Sequence, residues 1–314
     1  MKGDAVIPAP REAAASSRPG SKQSRYKLGW LDFAILAVLG IVLAVLAYRV
    51  NTVLVYKWDW SIIPRFLYRF DDEEQRWIAN LLMQGFWTTV RLTLWGSVLA
   101  AVIGLAVGLC RISHDLFLRM ISRAYVELIR NIPPLVFIFI FYFFLSSQLI
   151  PLLGIDQLVR NASPETRAVI ELLFGDPKLL PQFVSGLVCL AMFEAAYVAE
   201  IVRAGIQSIP KGQWEAGESL GLSRFDQMRD VILPQAVQRT LPPLTSQFIS
   251  LIKDSSIVSL ISIQELTFMA SQVVVSTQRV FEVWITVAAM YFGLCFVFSW
   301  VFGRLERRMG RAQR

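Results

Sequence analysis

The chain has 314 residues, of which 55% are hydrophobic and only 18% are charged, and its mean hydropathy is +0.50. A typical soluble domain is about 25% charged, so this composition argues against a soluble protein and favours one in lipid. The net charge of +7 does not indicate a nucleic-acid-binding protein, because the basic residues stand at the ends of apolar runs rather than on one face. We expect an all-α protein of the lipid bilayer, with no nucleic acid partner.

Residues 1–29 are polar and rich in Ala, Ser, Pro, Lys and Arg, and we expect them to form a disordered basic tail. Six apolar runs follow, each about long enough to cross a bilayer. They lie at residues 30–48, 86–110, 132–150, 183–203, 241–262 and 283–303. The segment between the first two runs mixes aromatic and basic residues, which is typical of an outer interfacial loop. Residues 304–314 form a second basic tail.

The distribution of positive charge predicts the orientation of these runs. The connecting segments on one side, which include both tails, carry 20 Lys and Arg residues, and those on the other side carry 9. Segments rich in Lys and Arg remain in the cytoplasm. We therefore expect both termini in the cytoplasm, together with the polar segment Lys211–Pro234.

The segment Lys211–Pro234 has the residues of two short helices joined by a turn. Gly221 can adopt the left-handed conformation that ends a helix. Ser223 can cap the next helix, and Asp226 completes a pattern like a capping box. Pro234 is expected to stop this second helix, because proline lacks a backbone donor and crowds the preceding turn.

A G-x-x-x-G spacing occurs in the second apolar run, at Gly104 and Gly108. Small residues at this spacing allow two helix backbones to approach closely. We expect the pair to serve packing within the bundle rather than a contact between two copies of the chain.

The sequence contains no pattern of a catalytic centre. No G-x-x-x-x-G-K-[ST] nucleotide-binding motif is present, and no lysine precedes Ser or Thr. The single histidine, His114, has no partner residues for a triad, and there is no cluster with metal-ligand spacing. We expect no catalytic residues, no metal and no cofactor in this chain.

The polar segment resembles the cytoplasmic EAA loop of permeases of ABC importers. In that loop the order is E-A-A, three residues, G, nine residues, I, one residue and L-P. The matching residues here are Glu215, Ala216, Gly217, Gly221, Val231, Leu233 and Pro234. Gly217 stands in place of the second Ala and Val231 in place of Ile, while every spacing is kept.

Three further stretches are similar to the branch of these permeases that takes up polar amino acids. Glu127–Leu135 resembles the R-G-T-P-L-L start of a span, and Ala196–Ile206 resembles A-Y-x-A-E-I-x-R-x-G-I. Lys253–Ser256 and Gln264–Leu266 resemble K-D-T-S and the E-L that follows it. The resemblance covers about residues 80–305, so the first apolar run and the tail before it lie outside.

The resemblance implies a multi-pass helical bundle of the type I ABC importer permeases. Residues 86–303 would be the permease core, with the coupling loop at about 207–236, and residues 30–85 an additional helix with its outer loop. The implied coupling residues are Glu215, Ala216, Gly217, Gly221, Leu233 and Pro234.

The resemblance also implies a function and partners. The chain would form the path for an amino acid in an ATP-driven importer of the bacterial inner membrane. Two ATP-binding subunits, a second permease chain (identical or related) and an extracytoplasmic substrate-binding protein would complete the transporter. ATP hydrolysis would take place on the separate subunits.

Three charged residues, Glu194, Lys253 and Asp254, fall inside apolar runs, where a charge costs about 2.5–3.5 kcal/mol. Either Lys253 pairs with one of the carboxylates and holds helices together, or these residues and Ser255 line the path and meet a zwitterionic substrate. The residues alone leave both open. Glu200 and Arg203 are three apart on a helix and are expected to form a local ion pair.

An ion-gradient-driven secondary transporter or channel is the alternative function. Carboxylates inside the membrane fit it equally well. It leaves the spacing of the EAA-like segment unexplained.

Overall fold

A computed structural model of the chain describes residues 29–52, 56–73 and 75–311. The basic tail expected at 1–29 lies outside these residues except for Gly29, as do the last three residues of the tail at 304–314. The chain divides into two units, residues 1–57 and 58–314. In the first unit, helix α1 (Trp30–Thr52) has 23 residues and exposes most of its apolar side chains.

The second unit begins with a short helix and a two-stranded hairpin. These are α2 (Ile62–Leu67), β1 (Tyr68–Asp71) and β2 (Arg76–Ala79). The strands pair antiparallel with Tyr68 opposite Ala79, and the Phe70 and Trp77 rings meet edge to face at 5.7 Å. The expected outer loop thus contains regular structure. It is joined to the bundle by the Asp59 N–H, which donates to Glu282 Oε1 at 2.7 Å.

Helices make up most of the rest of the chain. The first group is α3 (Leu81–Arg111), α4 (Leu116–Asn131), α5 (Pro134–Ile140), a π-helical turn (Phe141–Ser146), α6 (Ser147–Leu152), α7 (Ile155–Asn161) and α8 (Pro164–Phe174). The second group is α9 (Leu180–Gln207), α10 (Lys211–Ser219), α11 (Arg224–Asp226), a π-helical segment (Gln227–Ile232), α12 (Leu233–Asp254), a 3₁₀ segment (Ser255–Ile261), α13 (Leu266–Thr277) and α14 (Val280–Arg311).

Among the described residues, three helices are long and apolar enough to cross a membrane, and up to five spans result if each of two bent pairs counts as one. The three are α3, the helix ending at Gln207 and α14, where the sequence predicts the second, fourth and sixth runs. The run predicted at 132–150 is α5, the π turn and α6 together. The run predicted at 241–262 belongs to a longer helical stretch, Arg224–Ile261.

The chain turns sharply between α4 and the helix that follows. The axes of Leu116–Asn131 and Pro134–Phe144 differ by 116°. Ile132 and Pro133 are extended, because a residue before proline is disfavoured in the helical region. Pro134 then starts α5 at a position where no backbone donor is needed.

Helices α3 and α9 form the centre of the bundle through the two glycines of the G-x-x-x-G spacing. A Cβ at Gly104 would lie 2.5 Å from Val198 Cβ, and one at Gly108 would lie 2.9 Å from the Ala199 carbonyl oxygen. The prediction of packing within the bundle is confirmed, because both glycines face the neighbouring helix of the same chain.

A buried carboxylate joins three helices near the N-terminal end of α3. Glu265 caps α13, and its Oε1 accepts a hydrogen bond from the Phe268 N–H at 2.8 Å. Its Oε2 accepts one from the Tyr291 hydroxyl of α14 at 2.7 Å. Thr89 of α3 accepts from the Leu266 N–H at 3.1 Å. Because each group has a partner, the buried polar atoms stabilise this junction.

Gly104→Ala is expected to destabilise the bundle, because its methyl group would overlap Val198. Overpacking of this kind costs about 1–3 kcal/mol. The midpoint of thermal unfolding of the detergent-solubilised chain should fall relative to wild type. Gly293→Ala is the matched control, because a Cβ there meets no atom within 4 Å. Equal midpoints for the two variants would contradict this packing.

Candidate functional site

The segment Lys211–Pro234, here called the EAA-like loop, contains the predicted turn. Gly221 has a φ of +72°, in the left-handed region. The Leu222 N–H donates to the Gly217 carbonyl at 3.1 Å and the Gly221 N–H to the Glu218 carbonyl at 3.0 Å. This pair of bonds is a Schellman motif, which ends α10. The prediction for Gly221 is therefore confirmed.

The predicted cap of the second helix is also present. The Asp226 N–H donates to Ser223 Oγ at 3.2 Å, and the Ser223 hydroxyl donates to Asp226 Oδ2 at 2.5 Å. The side chains of Ser223 and Asp226 therefore fix the start of the helix that leads back into the bundle.

The prediction that Pro234 stops this helix is wrong. Pro234 lies in the first turn of α12, and the chain continues through the π-helical segment Gln227–Ile232 into α12 without a break. Wider i→i+5 bonding precedes the proline, with the Leu233 N–H donating to the Met228 carbonyl. The wider π-helical turns that precede Pro234 accommodate the proline, so the helix continues.

Inside the loop, Gln227 joins the two helical segments. Its side chain is 1% exposed, and its amide donates to the Trp214 carbonyl of α10. A Cβ at Gly217 would lie 2.8 Å from Gln227 Nε2. The close approach that Gly217 permits is therefore an internal one, between α10 and the π-helical segment.

The outer surface of the loop mixes polar and apolar side chains. Glu215 and Ala216 are exposed. Leu220 is 78% exposed and Phe225 is 70% exposed, on the two sides of the turn at Gly221. Residue patterns in the sequence did not indicate Leu220, Phe225 or Gln227. The feature that could have indicated them is that each is an apolar or amide residue in an otherwise charged segment.

Two contacts attach the loop to the bundle. His114, between α3 and α4, places its Nε2 2.7 Å from a guanidinium nitrogen of Arg224. The Gln235 side chain of α12 donates to the Gln213 side chain at 3.0 Å. Outside the loop, Arg239 of α12 donates to the Ser208 carbonyl at the end of α9 at 2.5 Å, so the two helices that flank the loop are also joined.

Two of the four path candidates come together inside the bundle. Glu194 of α9 is fully buried, and its Oε2 accepts from the Gln247 amide of α12 at 2.6 Å. The carboxyl group of Asp254 lies beside that of Glu194. Glu194 Oε1 is buried with no donor among the described residues. Two adjoining carboxyl groups need a shared proton or a cation between them, so this pair suits an ammonium group.

The other two candidates point elsewhere. Lys253 is exposed and makes no salt bridge with Glu194 or Asp254 in the described structure. The Ser255 hydroxyl is buried and donates to the Ile252 carbonyl of its own helix at 2.7 Å. Lys253 therefore does not act as the pairing cation that one reading of the sequence required.

The expected ion pair between Glu200 and Arg203 is present, with Arg203 Nη2 at 2.5 Å from Glu200 Oε1. A second guanidinium, that of Arg111 at the end of α3, also donates to Glu200. A carboxylate bound by two arginines of different helices joins the C-terminal ends of α3 and α9.

Comparison with known proteins identifies this arrangement. A family model described as "Binding-protein-dependent transport system inner membrane component" matches residues 77–311. The chain belongs to this family. It is a permease component of a binding-protein-dependent transport system, and α1 and the hairpin's first strand precede the matched region.

Several members of the family are similar over most of their length. The probable glutamine ABC transporter permease GlnM of Bacillus subtilis is 35% identical over 233 residues, which cover 74% of this chain and 95% of that protein. The glutamine transport permease GlnP of Escherichia coli K12 is 35% identical over 258 residues, 81% and 98% of the two chains. The L-cystine permease TcyB of Bacillus subtilis is 32% identical over 241 residues, 74% and 91%.

Solved structures of permeases share the fold. A crystal structure of an amino acid ABC transporter with histidines has a TM-score of 0.58 and 34% identity, and the match covers 73% of this chain and 94% of that one. An inward-facing methionine transporter, MetNI, has a TM-score of 0.54 at 20% identity, with 73% and 96% covered. The second likeness concerns the fold alone. Together these matches agree with the type I importer permease fold implied by the loop.

Gly217→Val is expected to reduce ATP-driven uptake several-fold while the chain still inserts in the membrane. The added side chain would displace Gln227 and separate α10 from the π-helical segment. Gly212→Val, in the same helix, is the control, because a Cβ at Gly212 meets no atom within 4 Å. Uptake by cells expressing equal amounts of each variant is the measurement. Equal uptake by both would show that the internal contact is not needed.

Proposed function

We propose that the chain forms the membrane path of an ABC importer that takes up an amino acid across the bacterial inner membrane. The observation that carries the proposal is the carboxyl pair of the fully buried Glu194 and the partly buried Asp254, on the two helices that flank the EAA-like loop. The chain therefore combines a site that suits an ammonium group with a loop on which another protein can act.

The EAA-like loop supports a function in which separate subunits hydrolyse ATP and act on this chain. The sequence has no phosphate-binding loop, so ATP hydrolysis belongs to other subunits. Leu220 and Phe225 present apolar area beside the exposed Glu215, a combination that fits a groove on an ATP-binding subunit. Because Gln227 holds the loop as one body, a partner that moves the loop also moves α12.

The substrate class follows from the relatives and from the carboxyl pair. GlnM and GlnP are named as permeases for glutamine and TcyB for cystine. Both compounds carry an α-ammonium group, which Glu194 and Asp254 would bind by charge-assisted hydrogen bonds. We therefore assign a polar amino acid as substrate.

The complete transporter needs further chains. A second permease chain, identical or related, would complete the path. Two ATP-binding subunits would dock at the two EAA-like loops. A substrate-binding protein would deliver the amino acid at the outer face, where the hairpin exposes Phe70 and Trp77.

Reconstitution of the chain with its ATP-binding subunits and binding protein in proteoliposomes tests this function. ATP inside the vesicles should drive uptake of at least one member of a panel of labelled amino acids, and omission of ATP should abolish it. Uptake that continues without the ATP-binding subunits and follows a proton or sodium gradient would instead support the ion-gradient alternative.

Asp254→Asn and Glu194→Gln should each reduce this uptake by about tenfold or more, because a hydrogen bond to a charged group contributes about 1.5–3 kcal/mol. Asp156→Asn is the control, since it removes the same charge from an exposed position of α7. Uptake is measured at equal amounts of assembled complex. Unchanged uptake by both carboxyl variants would show that the pair only holds α9 and α12 together.

A further inference from the structure

A cavity of about 790 Å³ opens between α4 and the last turns of α3 and α9. Its charged lining consists of five arginines and two glutamates. These are Arg111, Arg119, Arg123, Arg130, Arg203, Glu127 and Glu200. Five positive charges against two negative ones make the cavity strongly electropositive, which favours an anion.

Four of the five guanidinium groups donate hydrogen bonds within the described structure. Arg111 and Arg203 donate to Glu200, and Arg123 donates to Glu127 at 2.9 Å. Arg119 donates to the carbonyl groups of Ser113 and His114. These contacts occupy both carboxylates of the cavity.

Arg130 is the exception. It forms only a long ion pair, 3.9 Å from its Nη1 to Glu200 Oε2, and its guanidinium group donates no hydrogen bond to any described residue. The guanidinium group lies 5.5 Å from the centre of the Tyr197 ring, which holds it by a cation–π contact. It therefore keeps a fork of N–H donors that matches a carboxylate or a phosphate.

We propose that this cavity is an anion site at the cytoplasmic mouth of the path, where Arg130 receives the α-carboxylate of the amino acid as it leaves. This inference rests on the proposed function. Tyr197 supports it, because the residue contacts Arg130 and also interacts electrostatically with Glu194 and Asp254. A zwitterion released by the acidic pair therefore next meets a positive group.

The charge of the cavity argues against a second copy of the chain as its occupant. A two-fold axis through the cavity would place the same arginines opposite themselves, and like charges repel. Inorganic phosphate and the phosphate of an anionic lipid share the chemistry of a carboxylate, so the test separates these sources.

The test uses the assembled complex without nucleotide, in nanodiscs of phosphatidylcholine. The ligands are the labelled amino acid that the uptake assay identifies and its α-carboxamide, which lacks the negative charge. Arg130→Gln should weaken binding of the amino acid by about tenfold or more and leave the carboxamide unchanged. Arg130→Lys keeps the positive charge but lacks the paired N–H donors, so its affinity for the amino acid should lie between those of wild type and Arg130→Gln. Arg160→Gln, which removes an exposed charge of α7 whose guanidinium donates to its own helix backbone, should bind like wild type.

Each other outcome overturns the proposal. Equal losses for amino acid and carboxamide would give Arg130 only a packing role. Binding of inorganic phosphate that depends on Arg130, with amino acid binding unaffected, would make phosphate the occupant. If Arg130→Gln no longer weakened amino acid binding in nanodiscs that contain phosphatidylglycerol, the occupant of the cavity would be a lipid headgroup. Failure of the proposed function is distinguishable, because the wild-type complex would then take up no amino acid at all.

Discussion

Gln227 is buried in a loop whose other polar side chains are exposed or partly exposed, and its contacts hold the two helical segments of the loop together. Its amide donates to the Trp214 carbonyl, and Gly217 leaves room for it. Burial of an amide without partners would cost free energy, so this contact keeps α10 against the π-helical segment. The loop consequently behaves as one body rather than as two hinged helices.

The same body is continuous with the bundle. The helical stretch Arg224–Ile261 runs from the loop through α12, and α12 carries Gln247 and Asp254. At a rise of about 1.5 Å per residue, the stretch from Gln227 to Asp254 is about 40 Å long. A displacement at the loop can therefore be transmitted to the carboxyl pair through one continuous helical stretch.

Helix α9 is the other support of the pair. It carries Glu194, and it packs against α12 where Gly205 meets Thr240. The Arg239 bond to Ser208 joins the two helices again near the loop. Rotation of α12 against α9 would change the distance between Glu194 and Asp254, which is how an amino acid could be held in one state and released in another.

The parts of the site that could be predicted from sequence are local. Gly221 ends one helix and Ser223 begins the next, through hydrogen bonds between residues three to five positions apart. Glu200 and Arg203, which form an ion pair, are about one helical turn apart. The continuation of the helix through Pro234 depends instead on the π-helical segment, which has no residue signature. The burial of Gln227 and the open guanidinium of Arg130 depend on contacts between separate helices, which spacing along the chain does not reveal.

The rigid link between loop and bundle can be measured directly by electron–electron distances between spin labels. In a chain whose three cysteines are replaced, labels are placed at Gly212 of α10 and Val237 of α12, with a second pair joining Gly212 to the corresponding loop of the other permease chain. ATP binding should shorten the distance between the two loops and leave the distance from Gly212 to Val237 unchanged. A change within the chain, with the loops remaining at their original separation, would contradict the account.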